Sequence, residues 1–200
     1  MKPLEPSNTG EASSPDESAH LADIFAFLAL LMRYPEDTFF DDEFLDTLES
    51  LLIRLNLHQL HQKITVWRAS VADPLLDAQI EYTRLFINTA PHLVAPPFGS
   101  VYLEGDKSLQ GKSTEKTRDF YRQYGFDIVN AAEPADHIFL ELEFLSCLYR
   151  QGEDEAADTF SRTLLLPWFY QFSQKITPEL RHPFFEVSIQ LITLFVKEDH

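Results

Sequence analysis

The apolar residues of this chain recur at steps of three and four for most of its length, and nowhere do they alternate. Leu21, Ile24, Phe25, Leu28, Leu31 and Met32 share one face of a helix, which Pro35 must end. A second stripe, Phe44, Leu45, Leu48, Leu51, Leu52 and Leu55, follows Asp41 and Asp42, whose carboxylates suit a helix N-terminus. A helical stretch is expected over about 58–69. Another follows Asp73, with Pro74 in its first turn and Leu76, Ile80, Leu85 and Phe86 turned inward. Ser113 is expected to cap the next helix and Gly125 to end it. Glu133 and Pro134 then open a long helix so apolar that it belongs at the centre, ended by Gly152. Two more are expected, from Asp154 to Gln174 with a break at Pro167, and from Thr177 to Lys197 with Thr177 as N-cap. The fold class is therefore all-α, a single globular bundle of about seven to nine helices over residues 18–200.

Composition bounds the partners. A chain of 200 residues is one ordinary domain, and 17 Phe point to a large aromatic core. Residues 1–17 carry three Pro and four acids with little to bury, which reads as a flexible acidic tail. Against 32 Asp and Glu stand 16 Lys and Arg, a net charge of -16 that argues against nucleic acid and for a cationic or arginine-bearing partner. Cys147 is the single cysteine, so neither an internal disulfide nor a thiolate metal cluster can form, as suits a reducing compartment. The longest apolar run, Ile24 to Met32, falls far short of the ~20 residues of a membrane span. No signal peptide or membrane insertion is expected, and the location expected is cytoplasmic.

Five features could carry chemistry. Periodicity lapses over 88–103, where Pro91, Pro96, Pro97 and Gly99 make a long connector, a possible hinge that strings Val94, Phe98, Val101 and Tyr102 outside any amphipathic helix. Such a stretch either packs on the core or lines a peptide groove. Gly105 to Gly111, followed by Lys112 and Ser113, imitates a phosphate loop, but five residues separate the glycines where four are needed and no strand precedes them. His58 and His61 stand three apart with no acid or thiol one turn away, so no metal is expected. Asp136 and His137, after Glu133, crowd the first turn of the most apolar helix. They either satisfy nearby backbone groups or form a functional pair. A hydrolase built on that pair lacks a nucleophile and oxyanion donors, so no catalytic residue is assigned. Acids cluster over 36–49 and 141–158, solvated faces that could also receive arginines.

Taken in order, Glu81-Tyr82 with Leu85-Phe86, Pro96 to Leu103, Gly111 with Ser113 and Thr114, Tyr121 to Phe126, and Glu133-Pro134-Ala135-Asp136-His137 resemble the TorD/DmsD/NarJ family of redox-enzyme maturation chaperones, its DmsD branch most of all. The resemblance runs on through Leu166-Pro167-Trp168 and His182-Pro183-Phe184, over roughly residues 20–196. It implies a non-enzymatic cytoplasmic chaperone for the twin-arginine signal peptide and catalytic subunit of a molybdenum-cofactor oxidoreductase. Such a chaperone delays export by the Tat translocon until the cofactor is in place. Signal-peptide binding carries over to Tyr82, Leu85, Phe86, Pro97, Phe98, Gly111, Asp136 and His137, with Glu133, Pro134 and Tyr102 as motif support. Tyr82 and Phe98 stand where the family often has Trp. The peptide's apolar segment is expected against Leu85, Phe86 and Phe98, and its arginines at Asp136. The resemblance implies no resident cofactor, weak guanine-nucleotide binding at most, and a monomer or domain-swapped dimer. The alternative client is the non-exported reductase subunit of a NarJ-type chaperone.

Overall fold

The computed structural model describes residues 15–88, 94–104, 111–128 and 133–197. Within them the regular elements are helical, and the only extended pairing is a single antiparallel bridge between Phe98 and His137. In chain order the helices are α1 (Pro15–Leu31), α2 (Asp42–Arg54), α3 (His58–Ser70), α4 (Pro74–Tyr82) and α5 (Ser100–Leu103). Then come α6 (Lys112–Gln123), α7 (Ile138–Gln151), α8 (Asp154–Phe160), α9 (Leu166–Ile176) and α10 (Pro183–Lys197). A π-turn over Thr83–Ile87 prolongs α4, and another over Ser161–Leu165 joins α8 to α9 just before Pro167. Counting α8 and α9 as one bent rod, the described residues form nine helices, within the expected range.

The caps are those the side chains dictate. Asp41 accepts from the Phe44 N–H at 2.9 Å and Asp73 from Leu76 at 3.1 Å, each closing the first turn of its helix. Gly125 and Gly152 take φ of 80° and 72°, the left-handed region open to glycine at helix ends. Helix α7 lies along α1, where Tyr149 stacks on Phe25 at 5.5 Å; α10 packs against α1 and α9, and Trp168 of α9 reaches Glu141 of α7. Trp168, Phe169, Phe172, Phe184 and Phe185 are fully buried there. Rings at 5–6.5 Å in edge and tilted contacts fill the centre, the role the phenylalanine content implied.

Several boundaries and faces differ from those the sequence suggests. α1 begins at Pro15, so residues 15–17 of the expected tail are helical, while residues 1–14 lie outside the described residues. Leu76 and Ile80 face solvent, because Ala78 and Tyr82 take the inner face of α4. Ser113 lies inside α6, not at its cap: Gly111 holds that position, and the Glu104 carboxylate accepts from the Ser113 N–H at 2.8 Å. α7 starts at Ile138, later than Glu133-Pro134, and the Thr177 turn is a short 3-10 helix (Thr177–Glu179) that stops before α10. Glu141, grouped with a solvated acidic face, is wholly buried. The glycine-rich stretch 105–110 and connector residues 89–93 lie outside the described residues.

Among the described residues no group of three His, Cys, Asp or Glu side chains is arranged to hold a metal, and no helix is long and apolar enough to cross a membrane. His61 meets Glu49 of α2 at 3.5 Å, a carboxylate that local spacing could not reveal.

Candidate functional site

The connector and the entrance to α7 are stitched together by backbone. Ile138 N–H donates to the Pro97 carbonyl at 3.0 Å and Gly99 N–H to the Asp136 carbonyl at 2.9 Å. Asp136, 1% exposed, receives the Ser100 N–H on one carboxylate oxygen and so caps α5; its other oxygen is buried without a partner. This departs from the expected arginine contact, because the carboxylate points at backbone and not at solvent. A glycine is needed beside it: a Cβ at Gly99 would stand 3.0 Å from the Trp168 indole. One at Gly111 would press within 2.6 Å of the Glu104 side chain.

His137 carries the other half of the stitch. Its Nδ1 accepts from the Phe139 N–H at 3.2 Å, capping α7, which assigns the proton of the neutral ring to Nε2. Of the two expected readings, the ring thus satisfies a nearby backbone group, the Phe139 amide. The ring meets Phe98 edge-on at 4.8 Å and Phe139 at 4.4 Å. Burial, helped by the Arg33 charge, pushes its pKa down to about 3.

Beneath the connector, Trp168 Nε1 donates to Glu141 at 2.9 Å, and Tyr102 stacks on the same indole at 5.9 Å. Burial holds the Glu141 carboxyl well above its usual range, with the Asp136 charge adding to the effect and the Trp168 hydrogen bond opposing it. Pro134 is buried and its carbonyl accepts from the His137 N–H at 3.0 Å, while Tyr121 donates its hydroxyl to the Ala135 carbonyl at 2.8 Å.

Tyr82, Leu85 and Phe86 belong to the other wall. Tyr82 sits edge-on to Phe86 at 4.8 Å and to Tyr34 at 5.4 Å. Burial, with the charge of Glu133 adding, raises its phenol. Leu85 and Phe86 are core residues, Phe86 packing on Phe185 at 5.8 Å, and so offer no open face to an apolar peptide. The Leu85 carbonyl accepts from the Ala95 N–H at 3.4 Å, which ties this wall to the connector.

Between the end of α1, α6 and α7 opens a groove of about 760 Å³. Its floor is aromatic: Tyr34, Phe39, Tyr82, Phe126 and Phe139 among others. Among the described residues its charged side chains are Glu36, Asp127, Glu133 and Glu143 against one cation, Arg33. Of the residues singled out from the sequence, Tyr82, Glu133 and His137 line this groove. Leu85, Phe86, Pro97, Phe98, Gly111, Asp136, Pro134 and Tyr102 do not; they hold the connector, α4 and the start of α7 in place. Glu36 and Glu143 come from the acidic stretches 36–49 and 141–158 and Phe126 from the Tyr121–Phe126 motif, whereas sequence reasoning missed Arg33, Phe39 and Asp127. The spacing of Phe139 and Glu143, four apart and thus on one helix face, was a further legible signal.

Comparison with known proteins agrees with this architecture. A family model described as nitrate reductase delta subunit matches residues 42–174. The chaperone protein TorD of Vibrio vulnificus (strain YJ016) is 28% identical over 139 residues, 64% of this chain and 64% of that protein. The Tat proofreading chaperone DmsD of Salmonella typhi is 31% identical over 114 residues, 56% of this chain and 55% of that protein. The chain thus spans less than two thirds of the length of these relatives. A crystal structure of a candidate redox enzyme maturation protein from Archaeoglobus fulgidus superposes with a TM-score of 0.61 at 26% identity, covering 96% of this chain and 100% of that one. With a family match over most of its length and relatives that are chaperones and not enzymes, the chain belongs to the TorD/DmsD/NarJ family of redox-enzyme maturation chaperones.

Proposed function

We propose that this protein is a cytoplasmic chaperone that binds the twin-arginine signal peptide of a molybdenum-cofactor oxidoreductase of the dimethyl sulfoxide or trimethylamine oxide reductase type. It supports maturation of that client and holds back export by the Tat translocon until the cofactor is inserted. The observation that carries this reading is the groove, where the described residues set an aromatic floor with four carboxylates and one cation, in a chain of net charge -16. An apolar peptide segment gains affinity from the rings. Its arginines gain specificity and on-rate from the carboxylates, through charge-assisted and bidentate hydrogen bonds. Asp136 serves as a positioning residue: it pins α5 to the start of α7 and so holds His137 at the groove wall.

Calorimetric titration with a synthetic twin-arginine signal peptide, beside the same peptide with both arginines changed to lysine, tests the proposal. Micromolar binding, about -8 kcal/mol, that the lysine peptide weakens is the expected result. No heat and no melting shift with several such peptides would reject it. The description of the matching family model favours a second reading, a chaperone for a nitrate-reductase-type subunit that lacks an export signal. That client would stay bound after deletion of any N-terminal twin-arginine segment.

A further inference from the structure

One side chain in the groove has the chemistry of the ligand and not of the receptor. Arg33 follows the buried Met32 just past the end of α1, and its guanidinium lies 4.8 Å over the Phe139 ring centroid. Its Nη2 donates to Glu143 at 2.9 Å. Phe139 and Glu143 are one turn apart on α7, so that helix offers a ring face and a carboxylate at the spacing one guanidinium can bridge. The fit is incomplete. Only one nitrogen of the fork reaches Glu143, and the Arg33 Nε is buried with no partner. The pair is also half open to water, with 41% and 49% of the two side chains exposed, so little holds it shut. Nor does the bundle need it, because α1 and α7 are already joined by the packing of Phe25 on Tyr149.

We propose that Phe139 and Glu143 form an arginine subsite of the groove, and that Arg33 occupies it as an internal stand-in until an arginine of the client displaces it. This rests on the peptide-binding reading above and adds to it a built-in competitor. An incoming guanidinium approaching from the open side can meet the Glu143 carboxylate with both prongs of its fork, which Arg33 does not. Displaced, Arg33 adds a free cation beside the peptide, so only a ligand that brings at least one arginine of its own recovers the lost ion pair. The groove thereby discriminates against apolar peptides that lack arginine.

The test compares wild type with Arg33→Ala, Arg33→Gln and Glu143→Gln, all at half-exposed positions. Each is titrated with an apolar peptide carrying adjacent arginines, and each is melted with and without millimolar N-acetylarginine amide. Removal of Arg33 is expected to tighten peptide binding about two- to fivefold, the worth of an exposed ion pair. Glu143→Gln is expected to weaken it about tenfold. The free arginine compound should raise the melting temperature of Arg33→Ala more than that of wild type, and should do nothing for a variant that also lacks the Glu143 charge. If wild type binds the peptide and neither Arg33 variant binds it more tightly, the competitor is rejected while the peptide reading stands. If wild type ignores the peptide but N-acetylarginine amide still stabilises Arg33→Ala through Glu143, the subsite stands and the client assignment falls. Weaker peptide binding by both Arg33 variants, with no melting shift, overturns the proposal outright.

Discussion

Helices α7 and α10 begin with the same local device in different surroundings. In His137-Ile138-Phe139 and in His182-Pro183-Phe184, the histidine Nδ1 accepts from the N–H two residues on, at 3.2 Å in both. The second ring nitrogen separates them. His182 Nε2 donates to Asp77 of α4 at 2.8 Å, and the same carboxylate oxygen accepts from Trp67 of α3 at 2.7 Å, so three helices close around one acid. His137 is held between the Phe98 and Phe139 rings and lines the groove. A helix cap is thus a local decision, whereas its use as a strut or as part of a wall is settled by what arrives from distant sequence.

The comparison breaks most visibly at the two aspartates. Asp77→Ala leaves the Trp67 and His182 donors without their acceptor, and a loss of about 2–3 kcal/mol by urea denaturation is expected, with peptide affinity unchanged. Asp136→Ala orphans the Ser100 N–H and frees the connector from α7; about 2 kcal/mol is expected to go, and peptide affinity with it. Equal effects of the two on peptide binding would mean that the α7 entrance is as purely structural as the α10 one.

Acid sharpens the same contrast. A histidine kept neutral in the fold binds fewer protons than in the unfolded chain, so stability is complete above about pH 6.5 and falls as the pH drops below it. Burial lowers both histidines, His137 to about 3 and His182 in the same direction against the opposing pull of Asp77. At pH 5 the His137 contribution amounts to a loss of up to about 2 kcal/mol relative to pH 7. His137→Asn keeps an N-cap acceptor but cannot titrate, and its stability profile between pH 5 and 7 should be flatter than that of wild type. An unchanged profile would show that His137 protonates freely in the fold. The smallest effect expected is at Tyr121, whose hydroxyl holds the Ala135 carbonyl just before Asp136. Tyr121→Phe should cost about 1 kcal/mol in the same denaturation assay.

Much of this architecture was legible in single stretches of sequence, where the physics is local. Three- and four-residue spacing located the helices, Asp41 and Asp73 sat where caps were needed, and Gly125 and Gly152 where a left-handed residue ends a helix. Family motifs drew attention to Tyr82, Glu133 and His137, which do line the groove. Which way a face turns was not legible. Leu76 and Ile80 have the spacing of buried residues and stand in water, because the space beneath α4 is filled by Ala78 and Tyr82. Glu141 has the look of a surface acid and is buried against Trp168, a partner 27 positions away. Asp136 turns its carboxylate to the backbone of Ser100, and Arg33 reaches across to Glu143, 110 positions on. The sequence by itself determined the helical period, the capping and the acidic balance, since each depends on neighbours within a turn or on simple sums. The groove, its aromatic floor and the place of Arg33 in it were decided by tertiary structure, since burial and charge pairing depend on which distant helices pack together.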